Sequence, residues 1–427
     1  MKEARLLDMP GMMAGALPVL EQLNGQGYEA VFVGGCVRDT AMGLPIHDID
    51  IATAALPEQV MAIFPDSIPT GLQHGTVTVR FQDELYEVTT FRTESEYEQH
   101  RRPAGVRFIA SLEGDLQRRD LTINAMALKA DGTLHDPFGG LLDIERRSIR
   151  CVGDADARFQ EDALRMLRAV RFAAKFGYSF AYRTWKALRR HHHLLRHIAM
   201  ERVMAELDQM LGGPRPAAAM KLLSESGLLL QTAKPLPALT GIQPSPRWDK
   251  LAGLKPELRW AALFAYCGTA VEQMETTMES LRFPGKLRNS VKSVIGVQLR
   301  MQAVLDIASQ DKEQQLVRGE WTSCVLEYGA EAAADWLNIL MLEEIYPEFA
   351  AAFSEWLEEM PATALKQLKI DGHALAQGVN RQPGSWMGPM MKRLLLAVAM
   401  KQLPNEPEHL LEQAKLWIAK DRINDDE

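Results

Sequence analysis

Two aspartates separated by a single residue, Asp48 and Asp50, follow an apolar run that ends in a glycine pair, Val33-Gly34-Gly35-Cys36-Val37-Arg38-Asp39. On an extended strand residues two apart share a face, so both carboxylates would project together while Ile49 and Ile51 turn toward a core. Adjacent carboxylates repel unless a positive charge sits between them. Mg²⁺ supplies that charge, because it takes oxygen ligands and is usually held by one or two carboxylates plus substrate phosphates. Glu87, in the alternating stretch Leu85-Tyr86-Glu87-Val88-Thr89, is a candidate third carboxylate from a neighbouring strand. Gly34 and Gly35 let the backbone approach a ligand closely, and amides turning into a helix suit an anion. Arg38 adds a fixed charge there. An aspartate pair of this kind is common in surface turns, but behind a Gly-Gly-x-x-Arg-Asp element it reads as a metal and phosphate site.

A second constellation lies at Glu161-Asp162-Ala163-Leu164-Arg165-Met166-Leu167-Arg168-Ala169-Val170-Arg171-Phe172. Asp162 and Arg165 are three apart, so a helix would present a carboxylate and a guanidinium side by side. Cytosine and adenine both offer an amino donor beside a ring-nitrogen acceptor, whereas uracil and guanine present the reverse order. A carboxylate accepting from the amino group and an arginine donating to the ring nitrogen would take C and A and reject U and G. The plainer reading is a surface ion pair worth roughly 0.2–0.5 kcal/mol. Arg168 and Arg171 continue the spacing and place further positive charge along one stripe, suited to a triphosphate.

These residues resemble the active-site signature of the nucleotidyltransferase superfamily to which DNA polymerase β belongs, and more narrowly the class II tRNA nucleotidyltransferases and bacterial poly(A) polymerases. The likeness continues through Asp115-Leu116-Gln117-Arg118-Arg119-Asp120-Leu121-Thr122-Ile123-Asn124, similar to the family's RRD motif, then Asp136-Pro137-Phe138-Gly139-Gly140, and then the EDxxRxxRxxRF helix from Glu161. It is tight over about 31–178 and looser beyond, where Leu368-Lys369-Ile370-Asp371-Gly372-His373 and Pro383-Gly384-Ser385-Trp386-Met387-Gly388 resemble the helical tail of Bacillus-type CCA-adding enzymes. The resemblance implies that Asp48 and Asp50 hold Mg²⁺ with help from Glu87, and that Gly34, Gly35, Arg38, Arg119 and Asn124 contact phosphates. It also makes Asp120 a ribose contact and Asp162 with Arg165 the base selector. The implied activity is untemplated addition of C, C and A to the 3′ end of tRNA from CTP and ATP. The alternatives are an A-adding enzyme, a poly(A) polymerase and, remotely, an inactive tRNA-binding protein. The polar stretch 91–103, which ends Arg101-Arg102-Pro103, reads as a mobile loop; members that add only CC lack it, so its presence favours full CCA addition.

What must position these residues is legible in the patterning. Ala30 to Gly35 is an apolar run, and Thr76 to Phe81 and Tyr86 to Arg92 alternate as half-buried strands do. From about Asp156 onward, Leu, Ala, Met, Glu and Arg recur at helical spacing. The expected fold is α+β: an N-terminal head at 1–150 with a small mixed sheet and helices, followed by an all-α neck (151–230), body (231–362) and tail (363–427). A length of 427 residues agrees with several domains at roughly 100–200 residues each, and 47% hydrophobic with 24% charged residues excludes a disordered or fibrous chain.

Net charge −8 speaks against an indiscriminate nucleic-acid binder, yet Arg92 to Arg190 holds 19 Lys+Arg against 14 Asp+Glu. The positive charge is concentrated around the motifs. No apolar run approaches the roughly 20 residues of a membrane span, and Glu3, Asp8 and Pro10 interrupt any signal peptide, so a cytoplasmic protein without a membrane partner is expected. Cys36, Cys151, Cys267 and Cys324 lack a CxxC pair and read as buried free thiols. His191, His192 and His193 read as the polar face of a helix. Oligomeric state is left open.

Overall fold

The structure, a computed structural model, describes residues 5–94, 97–98, 102–103, 106–240, 245–311, 314–343 and 346–425. The chain divides into two compact units, Met1–Ala252 with Val271–Arg282, and Gly253–Ala270 with Phe283–Glu427. Among the described residues no helix is long and apolar enough to cross a membrane.

The first unit opens with α1 (Gly11–Gly25), β1 (Ala30–Val33), α2 (Gly35–Ala41), β2 (Asp50–Thr53), α3 (Pro57–Ile63), β3 (Ser67–Gly71), β4 (Thr76–Phe81) and β5 (Glu84–Thr90). After the ribbon strands β6 (Arg92–Glu94), β7 (Tyr97–Glu98), β8 (Arg102–Pro103) and β9 (Val106–Phe108) come α4 (Leu112–Gln117), β10 (Ala127–Leu128), β11 (Leu134–His135), α5 (Gly140–Glu145) and β12 (Ser148–Ile149). A seven-stranded sheet has the order β11-β10-β1-β2-β5-β4-β3. Its pairs are antiparallel except β2 with β5. Central β1 is buried on both faces: Ala30 and Phe32 pack with Met13, Leu20 and Val37, while Val31 and Val33 pack with Phe91, Leu112 and Leu116. This two-sided burial is why its sequence is a continuous apolar run rather than an alternating one.

The stretch expected to be a loop departs from that reading. Its described parts form two antiparallel ribbons, β6 with β9 and β7 with β8; Ser95, Glu96, Gln99, His100 and Arg101 lie outside the described residues. A two-stranded ribbon pairs its own backbone groups and needs no buried face, so core periodicity does not reveal it.

Helices then take over with α6 (Ala155–Glu161), α7 (Leu164–Phe176), the short strand β13 (Ser179–Phe180), α8 (Tyr182–His191), α9 (Met200–Leu211) and α10 (Pro216–Ser226). Parallel pairing of β12 with β13 ties α8 back to the head. His191 is buried, not part of an exposed polar face, and its Nε2 lies 2.7 Å from Asp156 Oδ1.

In the second unit, Pro256–Tyr266, Gly285–Asp311, Gln314–Tyr328, Ala330–Glu343 and Pro347–Glu358 are helices. Their core includes Trp321 stacked on Phe353 at 4.7 Å. The last helices, Gly372–Gly378, Met387–Ala399 and Pro407–Asp425, enclose Leu375, Leu394, Val398 and Leu410. All four cysteines are free; Cys36, Cys151 and Cys324 are buried, and Cys267 is only half-buried.

Candidate active site

The site begins where β1 stops. Gly34 has φ +74°, and a Cβ there would lie 3.1 Å from both Arg119 Nη1 and Asp50 Oδ2. Only a residue without a side chain leaves room for both this guanidinium and this carboxylate to lie against the backbone here. Asp50 is the first residue of β2, opposite Val33 on one side and Glu87 on the other. The strand does not extend back to Asp48 as the spacing predicts: β1 ends at Val33, opposite Asp50, and turns away at Gly34, so no β1 residue pairs with Asp48. Alternation survives nonetheless: Asp48 is exposed, Ile49 buried and Asp50 half-buried.

Burial pushes the Asp50 carboxyl above its ordinary range; Arg119 and Arg38 pull it down, while Glu87 and Asp48 push it further up. Among the described residues no three His, Cys, Asp or Glu side chains converge closely enough to hold an ion unaided. That donor set fits Mg²⁺, which is content with one or two carboxylates when substrate phosphates complete its shell.

Gly34, Gly35, Arg38, Asp50, Arg119, Asp120, Asn124, Asp162, Arg165, Arg168 and Arg171 line one cleft of about 500 Å³, and Asp48 and Glu87 lie outside its lining. Arg38 is fixed by a fork to Asp39 (2.8 and 2.9 Å) and by Asn124 Oδ1 (2.7 Å), with its guanidinium over Phe172 and Phe176. Arg119 is held more loosely, donating to Asp115 Oδ2 at 3.3 Å and to the Asn124 carbonyl at 3.4 Å. Asp120 accepts from Arg168 Nε at 2.7 Å, from Asn124 at 3.2 Å and from the Leu121 amide at 2.8 Å. Burial alone would raise its pKa, but Arg168 and these bonds overcome it and hold the carboxyl at about 2.

The helical pairing expected of Asp162 and Arg165 is corrected. α6 ends at Glu161, Asp162 is extended (φ −134°, ψ 107°), and α7 starts at Leu164. Asp162 behaves as a cap, its Oδ1 accepting from the Leu164 amide at 3.0 Å, as short carboxylates do at helix starts. Its Oδ2 accepts from Arg202 at 2.8 Å. Arg165 instead pairs with Glu161 Oε2 at 2.6 Å and donates to the Arg118 carbonyl at 3.0 Å. Both side chains still line the cleft, from different backbone conformations.

Sequence reasoning missed residues that frame this arrangement. Arg118, Phe172 and Arg202 also line the cleft, and buried Glu206 accepts from Arg171 Nε at 2.7 Å. Arg202 and Glu206 are four apart on α9, so one helical face grips both Asp162 and Arg171. The spacing was visible; the distant partners were not.

Family models match in chain order. One described as poly A polymerase head domain covers residues 30–150, one described as probable RNA and SrmB-binding site of polymerase A covers 177–239, and one described as tRNA nucleotidyltransferase domain 2 (putative) covers 255–414. A CCA-adding enzyme of Geobacillus thermodenitrificans is 40% identical over 399 residues, spanning 92% of this chain and 95% of the relative. The chain belongs to the CCA-adding enzyme family. The crystal structure of the Bacillus stearothermophilus CCA-adding enzyme in complex with CTP matches with TM-score 0.80 at 33% identity, covering 97% of this chain and all of that one. Thermotoga maritima CCA-adding enzyme complexed with tRNA shares the fold at TM-score 0.65 and 18% identity. For a CCA-adding enzyme the lining of the cleft is coherent: the sheet end contributes Asp50, and α7 contributes arginines.

Proposed function

We propose that this chain adds C, C and A in turn to the 3′ end of tRNA, using CTP and ATP, releasing pyrophosphate at each step and working in the cytoplasm. The observation that carries the reading is the convergence on one cleft of Gly34, Asp50 and Arg119 from the head with Asp162 and the α7 arginines Arg165, Arg168 and Arg171. In this reading the head is 1–150, a nucleotide-selecting neck spans 151–230, the helical body is 231–362, and the tail (363–427) binds tRNA.

Asp48 and Asp50 hold Mg²⁺, with Glu87 assisting from the neighbouring strand. A metal held there would supply charge that favours deprotonation of the attacking hydroxyl and offsets that of the triphosphate. Arg119, whose charge pulls hardest against the burial of Asp50, is held only by long hydrogen bonds and is free to retighten on the phosphates. Arg38, clamped by Asp39 and Asn124, keeps the Gly34-Gly35 turn and the Asn124 side chain in register. Arg168 and Arg171 face the triphosphate, while Asp120 orients Arg168 and lies where a ribose hydroxyl would be read. Asp162 accepts from the exocyclic amino group and Arg165 donates to the ring nitrogen; Arg202 and Glu161 hold each in place until a base arrives.

The test offers labelled CTP or ATP separately to tRNA ending before CCA, after C and after CC. CTP should extend the first two and ATP only the third. Addition of A alone, or A-tailing of unrelated RNA, would replace the reading with an A-adding enzyme or a poly(A) polymerase. Asp48→Ala should abolish incorporation of every nucleotide while leaving tRNA binding intact, and Asp162→Ala should relax rejection of UTP and GTP.

A further inference from the structure

From residue 163 to residue 200 the chain carries nine Lys and Arg and no Asp or Glu. The cleft absorbs Arg165, Arg168 and Arg171. Others lie on α8, which with the start of α6 and the chain after β12 encloses a second groove of about 570 Å³ that shares no lining residue with the cleft. Arg150, Asp156, Tyr182, Arg183, Lys186 and Arg190 line it.

Its charges are not all alike. Asp156 is spent on Arg190 at 2.9 Å and His191 at 2.7 Å, and Arg150 is paired with Asp143 at 3.0 Å. Asp154, also in the groove, caps α6 by accepting from the Asp156 amide. Among the described residues Arg183 and Lys186 have no carboxylate partner. Beside them Tyr182 is 76% exposed, with the Lys186 ammonium 5.9 Å from its ring centroid. A flat aromatic face flanked by unneutralised cations matches a nucleic-acid strand, whose phosphates take the charges and whose bases or riboses take the ring.

The groove's place makes that match specific. α6 runs from its cap Asp154 and from Asp156, which line the groove, to Glu161, which immediately precedes the cleft residue Asp162. At 1.5 Å per residue, the seven residues of α6 separate the two by roughly 10 Å. We propose that this groove holds the sugar-phosphate backbone of the tRNA whose 3′ end occupies the cleft, Arg183 and Lys186 neutralising phosphates and Tyr182 packing on a base or ribose. The inference rests on tRNA being the substrate, and it assigns the contact to residues on α8.

The experiment measures binding of a tRNA transcript lacking CCA by fluorescence anisotropy, without nucleotide and across a KCl series, for the full-length wild type and the double variant Arg183→Ala/Lys186→Ala. KM values for tRNA and for CTP are measured alongside. The double variant should bind about tenfold more weakly near physiological salt, and the slope of log K against log[KCl] should fall by roughly 0.7–0.9 for each phosphate left without its cation. The KM for tRNA should rise while kcat and the KM for CTP stay constant. Tyr182→Ala should weaken binding about fivefold or more with the salt slope unchanged, and Arg183→Lys/Lys186→Arg should restore wild-type behaviour. An unchanged salt slope in the double variant overturns the proposal. So does a raised KM for CTP, which would assign these cations to the nucleotide's phosphates. Wild-type protein that binds tRNA with the expected slope but fails to extend it would overturn the functional reading and leave the groove standing.

Discussion

Arg202 holds Asp162 from outside the motif: its Nη2 lies 2.8 Å from Asp162 Oδ2, while Asp162 Oδ1 caps α7. The carboxylate that would accept from an incoming amino group is therefore aimed by a residue 40 positions along the chain. Removing Arg202 frees it to rotate, at a loss typical of a charge-assisted hydrogen bond, about 1.5–3 kcal/mol. Arg202→Ala should thus lower the preference for CTP over UTP by about tenfold or more. Ratios of kcat/KM for the two nucleotides check this; an unchanged ratio would show that Asp162 needs no such support.

Gly34 gives a second test. Alanine there must accept φ +74° and place its Cβ 3.1 Å from both Arg119 Nη1 and Asp50 Oδ2. The backbone strain alone costs about 1–3 kcal/mol at this glycine-favoured φ/ψ, and the methyl group would press on both the guanidinium and the carboxylate. Gly34→Ala should retain the fold with a lowered melting temperature and lose about 100-fold or more in kcat, since small misplacements in an active site are costly. Circular dichroism melts and single-turnover incorporation measure the two effects separately.

The sheet end of this site was readable because strands advertise themselves. Ala30 to Val33 is apolar throughout as a doubly covered strand must be, and Thr76 to Phe81 alternates over the bounds that β4 occupies. The pairing of Asp50 with Glu87 followed from one surviving alternation on each strand. The Asp162 wall was less legible. Its motif is helical in spacing, yet Asp162 itself is extended, because its short carboxylate competes for the Leu164 amide and starts a new helix there. Local preferences of this kind leave the hydrophobic period intact and so escape a reading based on it. Arg202 and Glu206 were hidden for another reason: their spacing on α9 is ordinary, and what matters is the tertiary partner of each.

Asp50 links activity and stability through pH. Its carboxyl is raised by burial first and then by Glu87 and Asp48, against the pull of Arg119 and Arg38. A folded-state value above the unfolded one means the proton-linked stability is fully present below the ordinary aspartate range and is lost as pH rises through the folded value. Asp50→Asn should therefore melt at higher temperature than metal-free wild type at neutral pH, converge with it on acidification, and be inactive. Mg²⁺ with CTP should raise the wild-type midpoint and not the variant's. Because protons and Mg²⁺ compete for the same oxygens, the acid limb of the wild-type pH–rate profile should move to lower pH as Mg²⁺ is increased. Wild-type and variant melting temperatures that stay parallel from acid to neutral pH would refute the linkage.

Asp120 and Arg168 carry the opposite sign. Burial would raise Asp120, but Arg168 at 2.7 Å, with Asn124 and the charge of Arg165, holds it at about 2, below its ordinary 3.8. The resulting stability is present above the unfolded value and lost as pH falls from about 4 to about 2; for a shift of this size it is roughly 2–3 kcal/mol. Arg168→Met removes the cation and leaves a buried carboxylate with two neutral donors. The variant should be less stable than wild type at pH 7, and the gap should close as pH falls from about 4 to about 2 and wild type loses what the variant never had. Thermal midpoints across that range measure the closing gap. Its catalytic consequence is separate: Arg168 also faces the cleft, so the variant should raise the KM for CTP and for ATP together, whereas a change confined to one nucleotide would place Arg168 at the base rather than at the triphosphate.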